Sequence, residues 1–158
     1  MRRADREITD IDDILAILKE CEVIRLGMIH GREPYIVPMN FVFEYIGRAL
    51  DLFVHSAVSG RKMEAISQNP RVCFEADRLF RIEGDRDACG WTALYESVVG
   101  YGRVDILEDI REKEAVLELL TRRYGFDGEF RASGEMLVHT AVIKVSVESV
   151  TGKANRRK

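Results

Sequence analysis

Apolar and polar positions along the chain alternate between two periods. Ile11, Ile14, Leu15 and Leu18 share one face at helical spacing, with Thr9 or Asp10 ahead of them as a cap. From Val23 the period shortens. Residues 23–30 are rich in β-formers, His30-Gly31-Arg32-Glu33-Pro34 reads as a turn, and residues 35–45 predict one long returning strand. Pro38 cannot donate to a ladder, so it implies an edge, a bulge or an unpaired stretch within that strand. After the turn at Ile46-Gly47-Arg48, residues 49–55 predict a third strand, completing a meander.

The second half continues the mixture. A short loop from Ser56 to Gly60 leads into a helix over 61–68, stopped by Asn69-Pro70. Residues 71–77 alternate as a strand, and 80–90, with Gly84, Gly90 and mixed charges, reads as an exposed loop. Residues 91–105 predict a long strand bent at Gly100 and Gly102. Asp109 and Glu112 open a helix carrying Val116, Leu117, Leu119 and Leu120, which Gly125 stops. Gly128 and Gly134 mark a loop. Residues 136–150 predict the last strand, with Leu137, His139, Ala141, Ile143, Val145 and Val147 on one face. The basic tail 151–158 reads either as a disordered solubilising end or as a phosphate contact. The sum is a mainly β (β+α) single domain over 1–158, with about six strands and about three peripheral helices. Strands this long, kinked by Pro or Gly, favour closure into a small barrel.

Composition narrows the classes. With 158 residues, 46% hydrophobic and 32% charged, the chain can bury a core and is not a disordered protein. A net charge of −3 gives no case for nucleic acid or an anionic membrane. No apolar run reaches the roughly 20 residues of a membrane helix, and the opening Met-Arg-Arg-Ala-Asp-Arg-Glu is no signal peptide. Cys21, Cys73 and Cys89 are odd in number and lack a CxxC, and His30, His55 and His139 are widely spaced. No metal site is expected, and a reducing cytoplasm fits best.

The most informative segment is His55-Ser56-Ala57-Val58-Ser59-Gly60-Arg61-Lys62. It follows a strand and opens a helix, where free N–H groups and the helix dipole favour an anion. Arg61 and Lys62 fall in the first turn, where the dipole disfavours positive side chains. They read either as solvated surface cations or as phosphate ligands. The glycine spacing fits neither a Walker loop nor a dinucleotide fingerprint, and no GxSxG is present. Pro38-Met39-Asn40 is either a bulge without a ligand or a stretch of free backbone for the edge of a planar ring. Trp91, Tyr95 and Ser97 share a face, as core, as subunit interface or as a stacking wall. His55 ends its strand beside the loop, as a structural histidine or as a proton-exchanging one.

Taken in order, these segments resemble the flavin-binding split-barrel superfamily related to pyridoxamine 5′-phosphate oxidase, and within it the nitroimidazole-resistance-protein branch. The carriers are Met-Arg-Arg-x-Asp-Arg-Glu-Ile at the start, Arg25-Leu26-Gly27-Met28, and Pro34-Tyr35-Ile36-Val37-Pro38-Met39-Asn40-Phe41. His55-Ser56-Ala57, Gly60-Arg61-Lys62 and Asn69-Pro70-x-Val72-Cys73-Phe74-Glu75 follow. The last are Tyr95-x-Ser97-Val98-x-Gly100-x-Gly102 and Thr151-Gly152-Lys153.

The resemblance implies a six-stranded antiparallel split barrel. It also implies a homodimer with one FMN, or FAD, in each of two interface clefts. On that likeness Arg61 and Lys62 with Ser56 hold the flavin phosphate, Gly60 belongs to the cofactor-binding set, and Pro38, Met39 and Asn40 line the isoalloxazine edge. Trp91, Tyr95 and Ser97 form a cleft wall from the partner, Lys153 joins the cofactor-binding set, and His55 is the catalytic candidate beside the flavin. The implied activity is an oxidoreductase passing electrons to a small acceptor such as a nitro-aromatic; a non-catalytic flavin carrier or redox sensor is the alternative. The tail does not match the arginine-bearing end of a pyridoxamine phosphate oxidase, so vitamin B6 oxidation is not expected.

Overall fold

The computed structural model describes residues 4–84 and 86–156. Met1-Arg2-Arg3 of the opening motif, Asp85, and Arg157 and Lys158 of the tail lie outside the described residues. Along the chain come β1 (Glu7–Ile8), α1 (Ile11–Glu20), β2 (Ile24–His30), β3 (Glu33–Met39), β4 (Phe41–Ile46) and β5 (Ala49–Ala57). They are followed by α2 (Arg61–Gln68), β6 (Arg71–Glu83), β7 (Thr92–Ile106), α3 (Ile110–Arg123), α4 (Gly134–His139) and β8 (Thr140–Asn155).

The caps read from the sequence explain where the helices start. The Asp10 carboxylate accepts from the N–H groups of Asp12 and Asp13, and Asp109 does the same for Arg111 and Glu112. Each satisfies donors that the first turn leaves free, worth about 1 kcal/mol. Helix α2 has the predicted bounds and gives way at Asn69.

The strands form one eight-stranded antiparallel sheet in the order β3-β2-β6-β7-β8-β5-β4, with β1 pairing β8. Hydrogen bonds do not close it. The expected single strand over 35–45 is two strands. Residues up to Met39 pair with β2, while those from Phe41 pair with β5 at the opposite end of the order. Only Asn40 separates them, so the sheet curls until its two edges meet there. There is accordingly no simple meander: β2–β3 and β4–β5 are hairpins at the two ends. Pro38 lies opposite Arg25 on β3, an edge strand that tolerates the missing donor.

Three other expectations change. Strand β6 continues to Glu83, so 80–83 is strand rather than loop. Residues 134–139, including Leu137 and His139, are helix α4, and its cap Ser133 accepts from the Met136 N–H. Most of the tail is ordered: β8 extends to Asn155, pairing with β1 and β7. The described residues thus hold eight strands and four α-helices against about six and three.

The core lies inside the curl. Phe41, Leu52, Val54, Phe74, Val98 and Ile143 are fully buried, and α1 lays Ile14, Ile17 and Leu18 against them. A second cluster covers the other face of β5 and β8, where Phe53 and Val142 meet Val116, Leu117 and Leu120 of α3 and Leu137 of α4. Strand β8 is therefore buried on both faces, which is why 141–145 lacks clean alternation. Among the described residues no helix is long and apolar enough to cross a membrane.

The bend predicted at Gly100 and Gly102 is a bulge. Tyr101 pairs with Ser149 but Gly102 with Val147, leaving Glu148 as the extra residue. A Cβ at Gly102 would stand 2.5 Å from the Ser146 carbonyl oxygen. Gly102→Ala should therefore destabilise the protein by about 1–3 kcal/mol through overpacking. Thermal unfolding followed by circular dichroism reads this, and an unchanged midpoint would refute the close-approach account.

Candidate functional site

The site begins where the chain crosses from one sheet edge to the other. Met39 and Phe41 point into the core, leaving Asn40 exposed between them. The Asn40 amide donates to the Glu22 carbonyl at 3.4 Å. The end of α3 secures the same point. The Tyr124 hydroxyl donates to the Glu22 carbonyl at 2.6 Å and accepts from the Phe41 N–H at 3.1 Å. Arg123 donates to the carbonyls of Leu18 at 2.8 Å and Cys21 at 2.7 Å, capping the end of α1. Its guanidinium lies 4.6 Å from the centre of the Phe41 ring.

Next to this crossing is the start of α2. Gly60 caps it with φ 112° and no side-chain cap bond. Glycine alone holds that conformation without strain, and the first-turn N–H groups are left without a side-chain acceptor. Lys62 reaches back so that its amine lies 3.5 Å from the Met39 thioether. A thioether is a weak acceptor, and no carboxylate pairs with Lys62 among the described residues. Burial pushes the Lys62 amine below its ordinary pKa.

Arg61 is held differently. Its Nε donates to His30 Nδ1 at 3.3 Å, its guanidinium lies over the Tyr35 ring at 4.6 Å, and His30 Nε2 meets Glu64 at 3.2 Å. His55 stands on the outer side of β5. Partial cover of the ring, and then the charge of Lys62, push it below the ordinary histidine value, which favours the neutral ring. His55 and Asn40 open onto a groove of about 400 Å³ whose apolar wall is Leu117, Leu120, Phe130 and Met136. Among the described residues no Asp, Glu, Lys or Arg lines it.

Met39, Asn40, His55, Gly60, Arg61 and Lys62 thus fall in one neighbourhood. Ser56 follows His55 on β5, and the exposed Pro38 is two residues before Asn40. The remaining candidates lie elsewhere. Ser97 pairs with Lys153 on the β7–β8 ladder, and the Lys153 amine lies 5.7 Å from the Tyr95 ring centre. Burial raises the Tyr95 hydroxyl pKa, but hydrogen bonds from Lys153 and Arg6 outweigh it and leave the group below its ordinary value. Trp91 precedes β7, 62% exposed, and packs over Gly84 rather than continuing the Tyr95–Ser97 face. Strand β8 spans the two groups: Val142 opposes His55 and Lys153 opposes Ser97, up to roughly 35 Å of extended chain apart.

Several residues at these places carried no sequence signal. Glu64, three positions after Arg61, is visible as a helical neighbour, but His30 and Tyr35 reach Arg61 only through the packing of α2 on β2 and β3. Arg123 and Tyr124 read only as a helix end. Glu96, 3% exposed, is the buried charge of β7. It accepts from Arg78 at 3.0 Å and from Arg156, which ties down the end of β8.

A mainly antiparallel β-fold whose chain crosses between the two sheet edges beside the start of α2 sets the class, and the comparisons name it. A family model described as pyridoxamine 5′-phosphate oxidase matches residues 10–154, and the chain belongs to that family. Among solved structures, it is similar to a Bacteroides thetaiotaomicron protein provisionally assigned to 5-nitroimidazole antibiotic resistance. The two share 29% identity at a TM-score of 0.79, over 93% of this chain and 85% of that one. It also shares its fold with an FAD and heme binding protein from Mycobacterium smegmatis, at 17% identity and a TM-score of 0.82 over 96% and 74% of the two chains. An FAD-binding protein from Mesorhizobium loti is similar at 20% identity and a TM-score of 0.68 over 96% and 98%. No match is found among curated proteins.

The Tyr124 clamp is testable. Tyr124→Phe leaves the Glu22 carbonyl and Phe41 N–H short of a partner. The loss should be about 1–2 kcal/mol of stability, read as a lower urea midpoint at constant slope. An unchanged midpoint would show that the clamp contributes nothing.

Proposed function

We propose that this chain is a flavin-binding oxidoreductase that takes FMN, or FAD, and reduces a small electron acceptor such as a nitro-aromatic. The observation that carries the reading is Lys62: a partly buried amine with no carboxylate among the described residues, beside the uncapped start of α2 and close enough for its charge to act on His55. A phosphate would supply the missing counter-charge, so the residues present fit the group. The flavin-binding relatives support the cofactor class. Arg61 and Lys62, with Ser56 and the N–H groups after Gly60, would hold the phosphate. Pro38, Met39 and Asn40 would border the ring.

Bound flavin would supply the redox chemistry. The chain's own contribution is placement and proton supply. The apolar wall of the groove would limit water around a bound acceptor, and His55 with a neutral ring could hold or pass a proton at a ring nitrogen. A groove without charged side chains suits an uncharged acceptor better than a phosphorylated one. Three free thiols favour work in a reducing cytoplasm.

The reading includes a homodimer, in which the open sheet forms one half of a split-barrel pair. Ile36, Val99 and Tyr101 are exposed apolar residues of the sheet. Tyr95, Ser97 and Lys153 stand far from the α2 cradle of their own chain. A two-fold partner would cover the first set and bring the second to the other protomer's cradle. Light scattering after size exclusion should give twice the 18.1 kDa chain mass. A flavin-binding monomer at micromolar concentration would refute the shared cleft.

The purified protein should be yellow. Arg61→Ala or Lys62→Ala should each weaken FMN binding by about 10- to 150-fold, while riboflavin, lacking the phosphate, binds wild type and variants alike. Wild-type FMN affinity in the double variant would refute the phosphate assignment. Steady-state turnover with NAD(P)H and an acceptor separates the enzyme from a carrier, which holds flavin without cycling.

A further inference from the structure

We infer that His30 is a positioning residue for the phosphate site: it accepts from Arg61 on one ring nitrogen and is locked by Glu64 through the other, so Arg61 presents its free guanidinium edge at the start of α2. The inference rests on the proposed phosphate role of Arg61.

The hydrogen count fixes the arrangement. An arginine Nε always carries its hydrogen, so at 3.3 Å His30 Nδ1 must be the acceptor. Nδ1 then carries no hydrogen and Nε2 carries the ring proton, which it donates to the Glu64 carboxylate at 3.2 Å. Glu64 thereby selects the one neutral tautomer of His30 that can hold Arg61, as a carboxylate commonly fixes a histidine whose other nitrogen is in use.

The geometry leaves Arg61 partly committed. Only Nε is engaged, and the Tyr35 ring, 4.6 Å from the guanidinium carbon, supports the flat face. The two terminal nitrogens keep the paired N–H edge that grips an oxyanion in two-point fashion. An arginine on an exposed first turn otherwise surrenders rotamer freedom on binding. Three elements remove that freedom beforehand: β2 through His30, β3 through Tyr35, and α2 through Glu64 on the helix that carries Arg61. A direct ion pair between Arg61 and Glu64 would instead spend the edge and cancel the charge. His30 between them keeps the carboxylate on the imidazole.

The test uses the full-length protein and measures FMN and riboflavin affinity by fluorescence quenching. His30→Ala should weaken FMN by about 3- to 10-fold, a fraction of a charged hydrogen bond, and leave riboflavin unchanged. His30→Asn places an amide oxygen near the position of Nδ1 and should restore FMN to within about twofold, since an acceptor for Arg61 is what matters. In an Arg61→Ala background, His30→Ala should cost nothing further, the mark of two residues acting as one unit. Long-range nitrogen–proton NMR should show His30 with its proton on Nε2. Equal losses for FMN and riboflavin, an undiminished effect without Arg61, or the opposite tautomer would overturn the positioning role. If wild type binds FMN no better than riboflavin, the phosphate reading itself fails and this inference with it.

Discussion

The structure turns on one constraint at Asn40. The chain leaves one edge of the sheet at Met39 and enters the other edge at Phe41. A flat or gently twisted sheet of seven paired strands would hold those edges tens of ångströms apart. A single residue cannot span that, so the sheet must curl until the edges meet. Curling brings Phe41, Phe74, Val98 and Ile143 into one enclosed core and creates the need for the β7–β8 bulge, where Gly100 and Gly102 admit neighbours that a Cβ would strike. At the crossing, neither edge supplies regular ladder partners to the other. Tyr124 supplies one to the Phe41 N–H instead, which explains why a helix end packs there.

The same constraint positions the candidate chemistry. The junction leaves Asn40 facing outward beside the open end of β5, where His55 stands. Because α2 continues from β5 after a short glycine-containing loop, its first turn arrives next to the junction, and Lys62 reaches Met39. The cations stand at the wrong end of a helix for its dipole. Each meets that cost differently. Arg61 is braced by His30 and Tyr35, while Lys62 has only a thioether and so retains an uncompensated charge. The two are therefore not interchangeable: Arg61 contributes direction, Lys62 contributes field.

What the sequence made legible was local chemistry. Asp10, Asp109 and Asn69-Pro70 act within a few residues of themselves, and the helices they bound are where the periodicity put them. The break at Asn40 was illegible because both halves of 35–45 are good strands; only the meeting of distant edges separates them. Residues 80–83 misled for a related reason. Phe80 and Ile82 are 48% and 60% exposed on an outlying stretch of β6, so no buried face imposes a pattern. Helix α4 was missed because Leu137 and His139 continue the alternation of β8, while its cap, Ser133, is a single weak signal. The cations of α2 were readable from their conflict with the dipole. Their supports were not, since His30 precedes Arg61 by 31 residues and meets it only in the folded chain.

The separation of the candidate residues into two groups has a consequence for how the fold could use them. Tyr95, Ser97 and Lys153 are fixed to a rigid ladder, and the end of that ladder is anchored by Glu96, a buried carboxylate shared by Arg78 and Arg156. Removing a partner from a buried, hydrogen-bonded charge is costly, so this end of β7 and β8 is held in place rather than free to swing toward the α2 cradle. Within one chain the two groups lie toward opposite ends of strand β8. If both serve one ligand, the proposed dimer would bring them together from two molecules. Rigidity at that end would then let a second protomer present a preformed wall, with little ordering cost on association. A flexible β7–β8 end would have permitted either arrangement; under the proposed shared site, the Glu96 anchor favours the one between chains.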